Sequence, residues 1–192
     1  MTKRLRLLMA SALLLTAGMI QAQKYVGGDL SMLSKYEQQG ATYLDKDGKS
    51  IADVLAFVKE QGWNTVRVRL FVDPSNDKDK CVVQDLEYVK SLGKRIKDAG
   101  LHFMLDFHYS DTWADPKQQN TPMIFEMVNT PTYEYIYYYT KESLEALTKA
   151  GATPDLIQIG NEISFGMLWD SCKIGPKSEN DWSDYSDDRW DS

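Results

Sequence analysis

The sequence has little cysteine and little histidine, two of each in 192 residues. Cys81 and Cys172 are too few for a disulfide framework. They could pair in an oxidising compartment, but nothing in the sequence puts them together, and they read as incidental thiols. His102 and His108 do not make a zinc site on their own, and no Cys/His spacing suggests one. Positive charge is also in deficit: the formal net charge is -6 and the pI is near 5.0. No basic stripe occurs beyond the first six residues, which excludes a phosphate-backbone binder. No second long apolar run follows the first, and no linker or low-complexity tract divides the chain. What is present is ordinary for a globular protein, 43% hydrophobic and 26% charged. The length suits one domain, or part of a larger one.

The single apolar run is N-terminal. Lys3, Arg4 and Arg6 form a positive segment, and Leu7 to Ala17 form an apolar one. Ile20-Gln21-Ala22 offers a cleavage site before Gln23. Residues 1–22 therefore read as a secretory signal peptide, too short to span a membrane stably. No cysteine sits at the cleavage point, so no lipid anchor is indicated. Loss of the three cations would take the formal charge from -6 to -9. An acidic exported protein, periplasmic or extracellular and bacterial, is expected. It should have no membrane attachment after cleavage.

The rest shows a repeated unit: a helix-like segment ends in glycine, and a strand-like run follows. The first helix is expected to start at Ser50 as N-cap, with Asp53 three residues on. Ile51, Val54, Leu55 and Val58 keep helical spacing, and Gly62 ends it. Asn64 to Val72 then reads as a strand. The second helix opens near Asp85, turns Leu86, Val89, Leu92 and Ile96 inward, and ends at Gly100. Lys94, Arg95 and Lys97 crowd its last turns, as the helix dipole favours. Leu101 to His108 is the next strand. The third helix closes over Ser143 to Ala150, although its Tyr135-Ile136-Tyr137-Tyr138-Tyr139 run reads as a poor helix. Leu156 to Ile163 follows as a strand, and Lys24 to Leu30 reads as an earlier one. The order β, α, β, α, β, α, β predicts a parallel sheet with right-handed helical crossovers. Loops after strands are long and turns before them short, which favours function at the C-terminal face.

Strand alternation groups polar residues. Arg67 and Arg69 share one face of the second strand, Asp106 and His108 one face of the third. Gln158, Gly160 and Glu162 are expected to share one face of the fourth. Buried arginines need anionic partners. An internal ion-pair network would explain any one of these sets; three consecutive strands ending this way argue for a site. Beyond the third strand, Asp106 to Pro116 mixes aromatic rings with carboxylates and hydroxyls. That mixture suits sugars, whose apolar ring faces stack while their hydroxyls hydrogen-bond. An aromatic loop packing on its own scaffold is the alternative.

The motif DFHYSDTWADP, joined to GNE at the end of the next strand, resembles glycoside hydrolase family 53, the endo-β-1,4-galactanases. GGDLS, NTVRVRLFVDP, PDLIQIGNEISFGMLW and the YT before the last helix agree with it, so the resemblance covers Tyr25 to Trp169. It implies an α/β fold, the (β/α)8 TIM barrel, and a retaining mechanism on β-1,4-galactan or another plant cell-wall polysaccharide. No cofactor and no metal site is expected within this chain. Glu162 would be the general acid/base. Asn161 would bind the hydroxyl next to the reacting carbon, and Arg67 would hold the nucleophile ionised. Asp106, His108, Asp111 and Asp115 would hydrogen-bond in the subsites and Trp113 would stack there. Asp29 and Arg69 would join them in binding substrate.

The sequence departs from that pattern after Glu162. A retaining enzyme needs a second carboxylate roughly 5 Å from the first, which the family carries on its seventh strand. Only Glu179 follows Glu162 as a glutamate, with no strand pattern before it. About the first four β/α units are therefore expected, over residues 23–170, then an irregular acidic tail, 171–192, as a possible aberrant terminus. The nucleophile should be missing and the chain inactive by itself. Competing readings are a related glycosidase acting on mannan or cellulose, a non-catalytic glycan-binding remnant, and a secreted α/β protein of unrelated function.

Overall fold

The computed structural model describes residues 24–74, 81–126 and 132–174. The expected signal segment and most of the expected tail lie outside the described residues. In chain order the elements are β1 (Gly27–Asp29), α1 (Leu33–Gln38), β2 (Tyr43–Leu44), β3 (Ser50–Ile51), α2 (Val54–Glu60) and β4 (Thr65–Leu70). There follow α3 (Leu86–Asp98), β5 (His102–Phe107), α4 (Met123–Glu126), α5 (Thr132–Lys149), β6 (Leu156–Ile159) and α6 (Trp169–Cys172).

β1, β4, β5 and β6 form one parallel sheet in chain order, and β2 pairs with β3 as a small antiparallel hairpin. The β/α alternation read from the sequence is thus present. One face of the sheet is apolar. Val66, Val68 and Leu70 on β4 and Phe103, Leu105 and Phe107 on β5 are fully buried, packed with Val89, Leu92 and Ile96 of α3 and Leu147 of α5. Each such side chain stabilises the fold by about 1.5–3 kcal/mol. Close packing here requires Gly93. A Cβ at that position would lie 2.8 Å from the Phe103 ring and 3.1 Å from the Ala152 methyl. β6 is an edge strand among the described residues. Its Ile157 and Ile159 point to the helix side and are 45% and 62% exposed.

Three local expectations need correction, and one short helix had no sequence signal. Ser50 does not cap a helix; it pairs with Leu44 in the hairpin. Asp45 makes that turn, accepting from the Asp47 and Lys49 amides, and Asp53 caps α2 by accepting from Leu55 and Ala56. A second carboxylate three residues past a plausible cap was itself the cap. Next, α1 is a helix of only six residues, too short to show a period. The tyrosine run, in turn, is solid helix within α5. Tyr135 stacks on Phe125, and the Tyr139 hydroxyl donates to the Phe71 carbonyl, so tertiary packing overrides weak propensity. Burial pushes the Tyr139 hydroxyl far above its ordinary pKa. Finally, the outer strands are shorter than read: β1 starts at Gly27 and β6 stops at Ile159.

Candidate functional site

The other face of the sheet is polar at its C-terminal end. In the parallel register Asp29 lies opposite Arg67, Arg69 opposite Asp106, and Asp106 opposite Gln158. These residues alternate with the buried valines, leucines and phenylalanines, so the apolar core on one side fixes the polar cluster on the other. Arg67 is the centre. Its Nη1 donates to Asp29 Oδ2 at 2.6 Å and its Nη2 to Asp106 Oδ2 at 2.5 Å. Nη2 also donates to Asn161 Oδ1 at 2.9 Å, and Nε to Gln158 Oε1 at 3.1 Å. Such charge-assisted fork contacts set direction as well as strength. Asp106 is fully buried; Arg67 meets its charge, and His108 Nδ1 lies 2.9 Å from its Oδ2. Arg69 lies beside the cluster. Its Nη2 is 3.7 Å from Asp29 Oδ1, and its guanidinium covers the Trp113 ring at 4.4 Å. Phe71 and His108 meet the same ring edge-on.

β6 ends on a left-handed residue. Gly160 has φ of +75°, and a Cβ there would lie 2.5 Å from Ile163 Cγ2. This turn stops the alternation that was expected to carry Glu162 inward with Gln158. Asn161 turns inward in its stead. Its Oδ1 accepts from Arg67, and its Nδ2 donates to the Ala114 carbonyl at 2.7 Å. Glu162 is exposed and holds φ of +50°. For a side-chain-bearing residue that conformation costs about 1–3 kcal/mol and persists only where neighbours impose it. Gln119 is the neighbour. It is buried, and its Nε2 donates to the Asn161 carbonyl at 2.7 Å, with longer contacts to the Asp115 and Glu162 carbonyls.

The structure therefore brings Asp29, Arg67, Arg69, Trp113 and Asn161 together, with Glu162 on the adjoining loop. Asp106 and His108 are buried at the base of this cluster, Asp106 against Arg67 and His108 against Asp106. Asp111 and Asp115 give their carboxylates to backbone amides, Asp111 across to the loop after β4 and Asp115 within its own loop. Asp111 accepts from the Asp73 and Met123 amides, and Asp115 from Lys117 and Gln118. Two positions had no role assigned from sequence. Gln158 lay in the inward set, where its spacing already pointed to the cluster. Gln119 gave no such signal, because its partners are backbone carbonyls 42 and 43 residues away. Among the described residues no group of three His, Cys, Asp or Glu is placed to hold a metal ion. No described helix is long and apolar enough to cross a membrane.

An arabinogalactan endo-β-1,4-galactanase of Cellvibrio japonicus is 40% identical over 147 residues, covering 75% of this chain and 37% of that protein. A probable arabinogalactan endo-β-1,4-galactanase A of Aspergillus terreus is 38% identical over 149 residues, 77% of this chain and 41% of its own length. Among solved structures, a fungal β-1,4-galactanase superposes with a TM-score of 0.71 at 34% identity, covering 83% of this chain and 45% of that one. The chain spans about two fifths of the length of these curated relatives. Its four parallel strands with their helices correspond to part of the β/α barrel of those enzymes. The family model for glycosyl hydrolase family 53 matches residues 25–187, and the chain belongs to that family.

Proposed function

We propose that this chain binds β-1,4-galactan and carries the acid/base half of a retaining galactanase site. The observation that carries the reading is the Arg67–Asn161 hydrogen bond, which holds the Asn161-Glu162 pair at the end of β6 on the cluster whose Arg69 covers Trp113. The galactanases it resembles supply the substrate. Glu162 donates a proton to the glycosidic oxygen as the bond breaks. The galactosyl carbon passes to a carboxylate nucleophile. Glu162, now ionised, takes a proton from the water that releases the sugar. Asn161 assists because an amide NH2 has two donors. One is given to Ala114, and the other is available for the hydroxyl beside the reacting carbon. Arg67 supplies the positive charge that keeps the nucleophile ionised. No carboxylate among the described residues is assigned as that nucleophile, and the reading asks of this chain only that it bind galactan. It works outside the cytoplasm after removal of residues 1–22.

Affinity electrophoresis in gels containing galactan, mannan or soluble cellulose tests the binding, with reducing-sugar release measured alongside. Retardation by galactan, lost in Trp113→Ala, is expected, with no sugar release above the blank. Stronger retardation by mannan or cellulose overturns the substrate. Sustained turnover overturns the missing nucleophile.

A further inference from the structure

The two arginines on the polar face of β4 have different partners. Arg67 takes the carboxylates: its Nη1 donates to Asp29 Oδ2 at 2.6 Å. The other Asp29 oxygen, Oδ1, accepts from the Ser31 amide at 2.9 Å. Arg69 approaches that oxygen only to 3.7 Å, beyond hydrogen-bond length. Its guanidinium instead covers the Trp113 ring at 4.4 Å. We propose that Arg69 is a positioning residue: it fixes the tilt of the Trp113 indole and sets galactan affinity through that ring rather than by touching the sugar. The inference rests on galactan as the ligand that stacks on Trp113.

Burial and geometry support it. The Arg69 side chain is only 14% exposed, and its Nε is buried with no hydrogen-bond partner among the described residues. A guanidinium placed this way has little left to offer a sugar hydroxyl. It is planar and weakly hydrated, which suits it to a ring face better than an ammonium. A cation within about 6 Å of an indole centroid is drawn to the face of the ring, more strongly where water is excluded. The arginine is itself held from behind. Its backbone amide donates to the Ser31 hydroxyl at 2.9 Å, and Ser31 is fully buried. Trp113 needs a clamp because it lies on the loop after β5 rather than on a strand. Phe71 and His108, both buried, meet its ring edge-on at 6.1 and 6.0 Å. Those edge contacts limit where the indole sits, and the contact on its face sets its tilt. A ring with a cation on one face can offer a sugar only the other. A tilt fixed beforehand leaves less ordering to oppose binding.

Affinity and ring order are measured on the same variants of the full chain. β-1,4-Galactotetraose is titrated calorimetrically. The near-ultraviolet circular dichroism of Trp113 is taken as the difference between each chain and the same chain carrying Trp113→Phe, which removes the signal of the other tryptophans. Arg69→Met should weaken the tetraose roughly three- to tenfold, the cost of ordering one side chain on binding. It should also lose at least half of the Trp113 band, with the far-ultraviolet spectrum unchanged. Saturating tetraose should restore the band in Arg69→Met and barely change it in wild type. Arg69→Lys keeps the charge without the planar group and should fall between the two. Should Arg69→Met fail to fold, Arg69→Lys carries the test. A weakened affinity with an undiminished Trp113 band means that Arg69 touches the sugar itself, and overturns the proposal. So does a lost band with unchanged affinity. A wild-type chain that binds no tetraose overturns the galactan reading, and the band then decides by itself whether Arg69 holds the ring.

Discussion

Arg67 and Asn161 are 94 residues apart in sequence, yet Nη2 of one donates to Oδ1 of the other at 2.9 Å. The bond decides which way the Asn161 amide faces. The oxygen turns to the guanidinium, and the nitrogen turns to the Ala114 carbonyl and the open side of the site. The same guanidinium neutralises Asp106 beneath it.

Arg67→Met should therefore be among the most damaging single changes. It leaves the Asp106 carboxylate buried without its cation, at a cost of about 3–5 kcal/mol. Urea unfolding of Arg67→Met, Asp106→Asn and the double variant measures this. The double variant should be less destabilised than the sum of the two singles. Strict additivity would mean that the pair is not coupled.

Gln119 should control the loop that carries Glu162. Gln119→Ala removes a donor from the Asn161 carbonyl and costs about 1–2 kcal/mol. Gln119→Glu should cost more, because a carboxylate would face backbone carbonyls. Hydrogen exchange should speed up at residues 160–168 in both variants and stay unchanged in β4 and β5. Unchanged protection at 160–168 would show that the loop holds itself.

Asp155 gives the fold an acid-sensitive contact. Its partial burial raises the pKa, but the Lys97 ammonium, the Phe103 amide and His102 outweigh that and hold the carboxyl below its ordinary value. The folded state thus binds the proton less readily than the unfolded chain. The stabilisation is present in full above the unfolded pKa and is lost as pH falls through the folded one. Asp155→Asn should be less stable than wild type at pH 7, and the gap should close towards pH 2. A gap that persists undiminished at pH 2 would remove the carboxylate's charge from the explanation.

The bare face of β6 should make the chain self-associate. Ile157, Ile159 and Ile163 are exposed on or just beyond β6, the edge strand among the described residues, and an edge strand is a template for another strand. Sedimentation velocity should show association that rises with concentration, and Ile159→Lys should reduce it. A wild-type chain that stays monomeric across the concentration range would contradict this.

How much was legible beforehand depended on distance along the chain. The apolar spacing of Leu86, Val89, Leu92 and Ile96 marked α3, and Asp85 marked its start, because a helix period and a cap are written within a few residues. Alternation put Arg67 and Arg69 on one strand face and Asp106 on the next for the same reason. The hairpin at Tyr43–Ile51 was missed because Ser50 and Asp53 both look like caps, and only pairing with Leu44 decides between them.

The sequence by itself determined the alternation of strands and helices, the family, and which polar residues gather at the sheet's C-terminal end. Tertiary structure alone decided the direction each one faces. Gly160 turns the chain so that Asn161, not Glu162, meets Arg67. Asp106 and His108 end up buried, and Gln119 holds a strained loop from 42 residues away. Periodicity reports only on neighbours in the chain. A hydrogen bond between distant segments exists only once the sheet register has brought its donor and acceptor within 3 Å or so.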